Sequence, residues 1–165
     1  MKSPPKNCQF WQTPKNLFRV FSKEVGGFNI DAFASDNNHL CCKYFTVEDD
    51  GIMQKWHGNV WCNPPYSRGW PDEVIAKANL EVNIAKRAQC VYVLLNTAVD
   101  TAWFHNAYTL ASEIHLFRGR IRFELPPEYS NPDSPRYTNA LIIFKQGVKP
   151  KGITCYRDAR TGEVI

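Results

Sequence analysis

The sequence predicts an α/β fold with a mostly parallel sheet and antiparallel strands late in the chain, and three observations carry that prediction. Apolar runs with strand character, among them Asn59-Val60-Trp61-Cys62 and Val91 to Leu95, alternate with amphipathic stretches of helical spacing, a pattern that places helices against the faces of a sheet. Val91 to Leu95 is continuously apolar rather than alternating, as expected of a parallel strand covered on both faces. The chain has 165 residues, 44% of them hydrophobic and 22% charged, enough to bury a core, so a single domain spanning 1–165 is expected.

Thr13-Pro14 opens a stretch in which Leu17, Phe18, Phe21 and Val25 recur at helical spacing until Gly26-Gly27. Thr as N-cap, Pro in the first helical position and Gly past the end are helix punctuation. Strands are predicted at 28–31 and 43–46. The residues between, Ala32 to Cys42, are few for a crossover helix, so a departure from an ordinary βαβ unit is expected. Val60 to Asn63 reads as a strand and Pro71 to Ala88 as a helix with Val74, Ile75, Ala78, Val82 and Ala85 on one side. After the strand at 91–95, a helix is predicted over 101–112 and strands at 113–117, 121–125 and 140–144. Pro126 to Tyr137, with four prolines, is the one long irregular segment, and loops of that length are often functional.

Composition limits the possible roles. The net charge of +4 permits a polyanionic partner without requiring one. The cysteines (Cys8, Cys41, Cys42, Cys62, Cys90 and Cys155) include no CxxC pair, so reduced thiols are expected, several serving as small hydrophobes. His39 with Cys41 and Cys42 fits no standard metal cluster, and no metal is expected. No stretch has the length of a membrane span and Met1 to Lys6 lacks a signal-peptide core, which points to a cytoplasmic protein with no membrane partner.

The most informative residues are Asn63-Pro64-Pro65-Tyr66, where a strand breaks into a Pro-Pro corner. Each Pro fixes φ and lacks an N–H, so the carbonyls of Asn63 and Pro64 become fixed acceptors at a strand end. Such a corner suits an exocyclic amine: two acceptors take its hydrogens while Tyr66 stacks on the ring that bears it. A Pro-Pro turn beside a core-edge tyrosine would look the same from these four residues alone.

Here the sequence resembles the amino-methyltransferases that use S-adenosylmethionine, in which Asn-Pro-Pro-Tyr is the catalytic motif. The ordered set formed by Trp11 to Pro14, Ile30 to Ser35, Glu48 to Ile52, Trp56, Val60 to Ser67, Trp103 to His105 and Phe117 to Phe123 resembles the compact phage-type DNA N6-adenine methyltransferases over most of the chain. That resemblance implies a compact Rossmann-like methyltransferase fold and methylation of adenine N6 in duplex DNA at a specific site. The implied setting is protection of phage or prophage DNA from restriction. It further implies catalytic roles for Asn63, Pro64, Pro65 and Tyr66, with the target base flipped out of the duplex. Cytosine, RNA and protein glutamine are alternative amine substrates, and a binding protein without turnover is an alternative class. The absence of a Pro-Cys dipeptide argues against attack on cytosine carbon.

By the same resemblance Asp31, Ala32, Ala34 and Ser35 form the S-adenosylmethionine loop, although its usual glycines are missing. Asp31 either orients that loop or binds the methionyl ammonium, directly or through water; a plain turn carboxylate is the alternative. Asp50, within Asp49-Asp50-Gly51-Ile52, resembles the acid that accepts from the cofactor's adenine amine. Thr13 and Pro14 pack along its methionine moiety. For DNA, Arg118, Arg120 and Arg122 alternate with Gly119, Ile121 and Phe123, so a strand would set three guanidiniums on one face for phosphate contact, or merely a solvated face. Lys145, Lys149, Lys151, Arg157 and Arg160 add basic character, and the 126–137 loop, with Arg136, is the candidate recognition loop. A monomer or a homodimer is compatible with so small a reading surface.

Overall fold

The computed structural model describes residues 11–67, 69–125 and 137–165. Arg136 and almost all of the 126–137 loop lie outside them. One seven-stranded sheet has the order β2-β1-β3-β4-β6-β5-β7, built from β1 (Ile30–Asp31), β2 (Lys43–Tyr44), β3 (Gly58–Cys62), β4 (Ala88–Asn96), β5 (Glu113–Arg118), β6 (Asn139–Lys145) and β7 (Ile153–Asp158). Among the described residues β6 alone runs against the rest, pairing antiparallel with β4 and β5. β7 pairs parallel with β5. The mostly parallel sheet with a late antiparallel strand is as the sequence predicts, and it is consistent with a Rossmann-like methyltransferase fold.

Both faces are covered, which is why β3, β4 and β6 read as continuous apolar runs. Val60 and Cys62 of β3, Val91, Val93 and Leu95 of β4, and Ile142 and Phe144 of β6 pack with α2 (Trp70–Asn79) and α3 (Ala102–Leu110). The alternate residues Trp61, Tyr92, Leu94, Leu141 and Ile143 pack with Leu17 and Phe21 of α1 (Lys15–Glu24). Trp61 stacks on Phe21 at 5.8 Å. Fully burying one such large side chain contributes about 1.5–3 kcal/mol, so the period-two alternation of β3 ties both layers to the strand that ends at the Pro-Pro corner.

Several expectations need correction. α1 begins at Lys15 with Pro14 as its cap residue and no side-chain cap; Thr13 is not an N-cap but is buried one residue further out. The helix predicted over 71–88 stops at Asn79 and gives way to a π-helical turn, Leu80–Ile84, where buried Glu81 is held by Lys77 and Arg87. Ala88 already belongs to β4. No strand forms over 121–125: apart from an isolated bridge between Glu124 and Gln12 the segment lacks ladder partners, and β7, which the hydrophobic pattern did not signal, takes the place beside β5. The predicted lack of a crossover helix between β1 and β2 holds; a tight turn, with Ser35 and Asn38 exchanging backbone hydrogen bonds, links them instead. Among the described residues no helix is long and apolar enough to cross a membrane.

Candidate active site

The ends of β1, β3, β4, β5 and β7 share one edge of the sheet, because those strands are parallel. Ligands of open α/β sheets bind beyond such carboxyl ends. Every sequence-predicted site residue within the described part is carried by this edge or by a segment packed against it.

Asn63 follows β3 directly, and its amide is clamped at both ends. Nδ2 donates to the Trp11 carbonyl at 3.3 Å, while the Tyr66 hydroxyl donates to Oδ1 at 3.0 Å. Burial pushes the Tyr66 phenol well above its usual range, so it remains a neutral donor. An amide oxygen has two lone pairs, so the Tyr66 bond leaves one acceptor direction on Oδ1 and fixes where it points. The Pro64 carbonyl accepts no hydrogen bond from the described residues. Two acceptors therefore stand on one rigid corner.

Three distant pieces of chain build this corner. Gln12 and Glu124 exchange backbone hydrogen bonds of 2.9 Å, joining the segment before α1 to the one after the arginines. Phe123 lies edge-on to both Tyr66, at 6.1 Å, and Trp11, at 6.5 Å. The sequence places Phe123 in a motif and as the apolar partner of the arginines, and Trp11 in a motif; neither has a chemical signature that reveals a contact with Asn63 or Tyr66.

Thr13 and Pro14 are buried beside the same corner. The Thr13 hydroxyl is buried with no hydrogen-bond partner among the described residues. Leaving such a group unpaired costs about 1–3 kcal/mol, so it suits a polar ligand atom.

At the end of β1, Asp31 is 3% exposed and accepts from the backbone N–H of Leu40 at 3.0 Å and of Phe33 at 3.4 Å. These bonds tie the carboxylate to the backbone of the segment that follows β1. Burial raises its pKa to about 7, against the lowering effect of the two N–H bonds and of nearby His39. Cys41, close by, is pushed up to about 12 by burial and by Asp31. A cation bound here would restore the charged carboxylate.

The loop residues Ala32 and Ala34 serve a close approach of main chains. Ala34 N–H donates to Phe45 at 2.9 Å, and a Cβ on Gly51 would lie 2.1 Å from the Ala32 carbonyl oxygen. Only glycine permits that contact, and the Trp56 indole N–H locks it by donating to the Gly51 carbonyl at 2.9 Å. Ser35 is exposed at the turn. The acids beside Gly51 divide their work: Asp49 accepts from the N–H and hydroxyl of Thr46, whereas Asp50, with φ of 52°, is exposed within the turn.

The arginines diverge from expectation. Arg118 ends β5, Gly119 turns away with φ of 89°, and Arg120 and Arg122 follow on irregular chain, exposed, while Ile121 and Phe123 between them are buried. The two-sided pattern survives without the strand. Arg157, read as surface basic character, is 2% exposed; it donates to both Glu24 oxygens and to Nδ1 of His115. Lys145 pairs with Glu113.

With this geometry in hand, comparison with known proteins gives two kinds of likeness. Residues 2–162 match the family described as DNA N-6-adenine-methyltransferase (Dam). The DNA N-6-adenine-methyltransferase of Escherichia phage T1 is 34% identical over 114 residues, which are 68% of this chain and 46% of that protein. The protein YfdM of Escherichia coli (strain K12) is 33% identical over 63 residues, 34% of this chain and 69% of that protein. The chain thus spans about half the length of the phage T1 enzyme.

Proposed function

Because the chain belongs to the DNA N-6-adenine-methyltransferase (Dam) family, we propose that it transfers a methyl group from S-adenosylmethionine to the exocyclic amine of adenine in duplex DNA. The observation that carries this reading is the clamped Asn63 amide on the Pro-Pro corner at the end of β3. An adenine amine is a weak nucleophile, since its lone pair is delocalised into the ring. Acceptors aimed at both of its hydrogens favour the pyramidal nitrogen reached only as the new bond forms, and so stabilise the transition state more than the ground state. Asn63 Oδ1 and the Pro64 carbonyl are those acceptors. Tyr66 acts twice: its ring flanks the flipped-out base and its hydroxyl holds Asn63 Oδ1 in position.

S-adenosylmethionine, when bound, supplies an electrophilic methyl on a cationic sulfur. Residues that would hold it are Thr13, through its unpaired hydroxyl, and Pro14 beside it, with the Asp31, Ala32, Ala34 and Ser35 loop, and Asp50 for its adenine end. The raised pKa of Asp31 supports a site that gains its charge when a cation arrives. No nucleophilic side chain is required, and positioning carries most of the rate. Protection of phage or prophage DNA from restriction is the biological role this chemistry fits.

Nucleoside mass spectrometry of DNA incubated with the protein and S-adenosylmethionine tests the reading, with N6-methyladenine as the expected product. Methyl groups on cytosine or RNA instead, or no product from a protein that binds the cofactor, would overturn it.

A further inference from the structure

The described edge of the sheet carries a second feature that the methyl-transfer chemistry does not use. A concavity of about 390 Å³ is lined by Arg118, Gly119, Arg120, Arg122 and the turn Asp158-Ala159-Arg160, four guanidiniums against one carboxylate. Its two walls are joined by backbone: Ala159 N–H donates to the Arg118 carbonyl at 3.1 Å, and the Gly119 position faces the Ala159 methyl. The Asp158 carboxylate accepts from the N–H of Arg160 and Thr161 at 2.9 and 3.1 Å and so shapes the turn. Asn16 at the start of α1 donates to the Arg160 carbonyl at 2.7 Å, pinning the tip of that turn to the body of the protein.

The arginines lie on a path that leads to the active site. From Arg118 at the end of β5 the chain reaches Phe123, which touches Tyr66, in five residues, a reach of at most about 17 Å. The end of β3 is three strand spacings from β5 through β6 and β4, about 14 Å. Five residues are thus enough to cross the sheet edge from β5 to the end of β3. Burial along the segment alternates, Ile121 at 0% and Phe123 at 9% facing inward with Arg120 and Arg122 exposed between and beside them. Measured along the axis of a duplex, 14 Å corresponds to about four base pairs.

Resting on the DNA-methyltransferase reading above, we propose that residues 118–122 and the turn 158–161 form a phosphate track for the DNA strand leading away from the flipped adenine, with Arg160 closing its far end. Arg118, whose side chain is 70% exposed and sits 3.6 Å from Asp158, exchanges that long ion pair for a phosphate. The occupant is the DNA backbone, because an extended row of exposed guanidiniums matches a periodic polyanion. The contact is positional and carries no base information.

Fluorescence anisotropy of a labelled duplex at several salt concentrations tests this, together with calorimetry of S-adenosylmethionine binding as a check on folding. Arg118→Ala and Arg160→Ala are each expected to weaken matched and scrambled duplexes equally and to flatten the salt dependence by about one unit of slope. Lys149→Ala, in the basic concavity beyond the opposite edge, is expected to leave both unchanged. Asp158→Asn, which keeps an acceptor for the turn, should tighten binding. If the wild type binds and methylates DNA but Arg160→Ala retains its affinity and slope, the track is wrong and the methyltransferase reading stands. If the Lys149 variant loses as much as the Arg160 variant, binding is diffuse and the track is again wrong. If wild-type protein that binds the cofactor neither binds nor methylates DNA, the functional reading itself has failed.

Discussion

The Asn63 corner and the arginine segment lie at the same edge of one sheet, yet they are built by opposite means. At the corner both ends of the Asn63 amide are engaged, two prolines fix the backbone, and the residues around them are buried or half-buried. Along 118–122 the guanidiniums are exposed, and beyond Arg118, the last residue of β5, the chain leaves the ladder. Chemistry that depends on aiming two acceptors at a changing nitrogen needs preorganisation, whereas holding a phosphate needs only charge within reach. The contrast recurs between neighbouring residues of β7 and β5: Arg157, paired across the ladder with Phe117, is buried on Glu24, while Arg118, opposite Asp158, faces solvent.

The largest effect that would break this contrast is at the corner. Asn63→Ala is expected to lower kcat by a factor on the order of a hundred to a thousand, about 3–4 kcal/mol, while cofactor binding measured by calorimetry stays nearly intact. Retention of more than about a tenth of the activity would remove Asn63 from the mechanism.

Next comes the comparison of the two arginines by urea denaturation. Arg157→Ala strands Glu24 and removes a donor from His115, and a broken buried pair costs about 3–5 kcal/mol. Glu24 is a third exposed, so the lower end is expected. Arg118→Ala should leave the midpoint unchanged, and equal losses for the two would contradict their assignment to structure and to DNA.

A smaller, pH-dependent effect belongs to Asp31. Its folded pKa, about 7, lies above the ordinary 3.8. Its stabilising contribution is therefore fully present below about 3.8 and lost as pH rises through about 7. A bound cation acts in the opposite direction, so S-adenosylmethionine affinity should improve between pH 6 and 8, by at most about tenfold per pH unit for one proton. Isothermal titration across that range should show the trend in wild type and a flatter profile in Asp31→Asn; identical profiles would detach Asp31 from the cofactor.

The smallest effect sharpens the role of Tyr66. Tyr66→Phe keeps the ring against the base and removes one hydrogen bond, worth about 0.5–1.5 kcal/mol, so kcat should fall several-fold with KM for DNA little changed. A rise in kcat would mean that the hydroxyl competes with the adenine amine for Asn63 rather than positioning it.

The alternation of apolar strands, the α1 helix pattern and the Asn63 to Tyr66 motif were legible in the sequence because each depends on residues near one another. Where the reading went astray, a distant contact had overridden a local pattern. Arg118 to Leu125 alternates like a strand, but the position beside β5 goes to β7, and the alternation reflects burial of Ile121 and Phe123 beneath exposed arginines. Arg157 looks like any surface cation until Glu24, 133 residues away in sequence, is folded against it. The π-helical turn after α2 replaces a continued helix where Glu81 is drawn inward to Lys77 and Arg87, a buried charge that no periodicity announces.

Local stereochemistry and residue type specify the fold class and the Asn63 to Tyr66 corner, since proline geometry, apolar periodicity and the donor and acceptor inventory of each side chain are properties of short stretches. Only the folded chain decides that Trp11, Tyr66 and Phe123 enclose one corner, that the Asp31 carboxylate is buried enough to titrate near neutrality, and that Gly51 is needed for its approach to Ala32. Those outcomes follow from burial and through-space proximity, which depend on which distant residues the sheet order brings to the same edge.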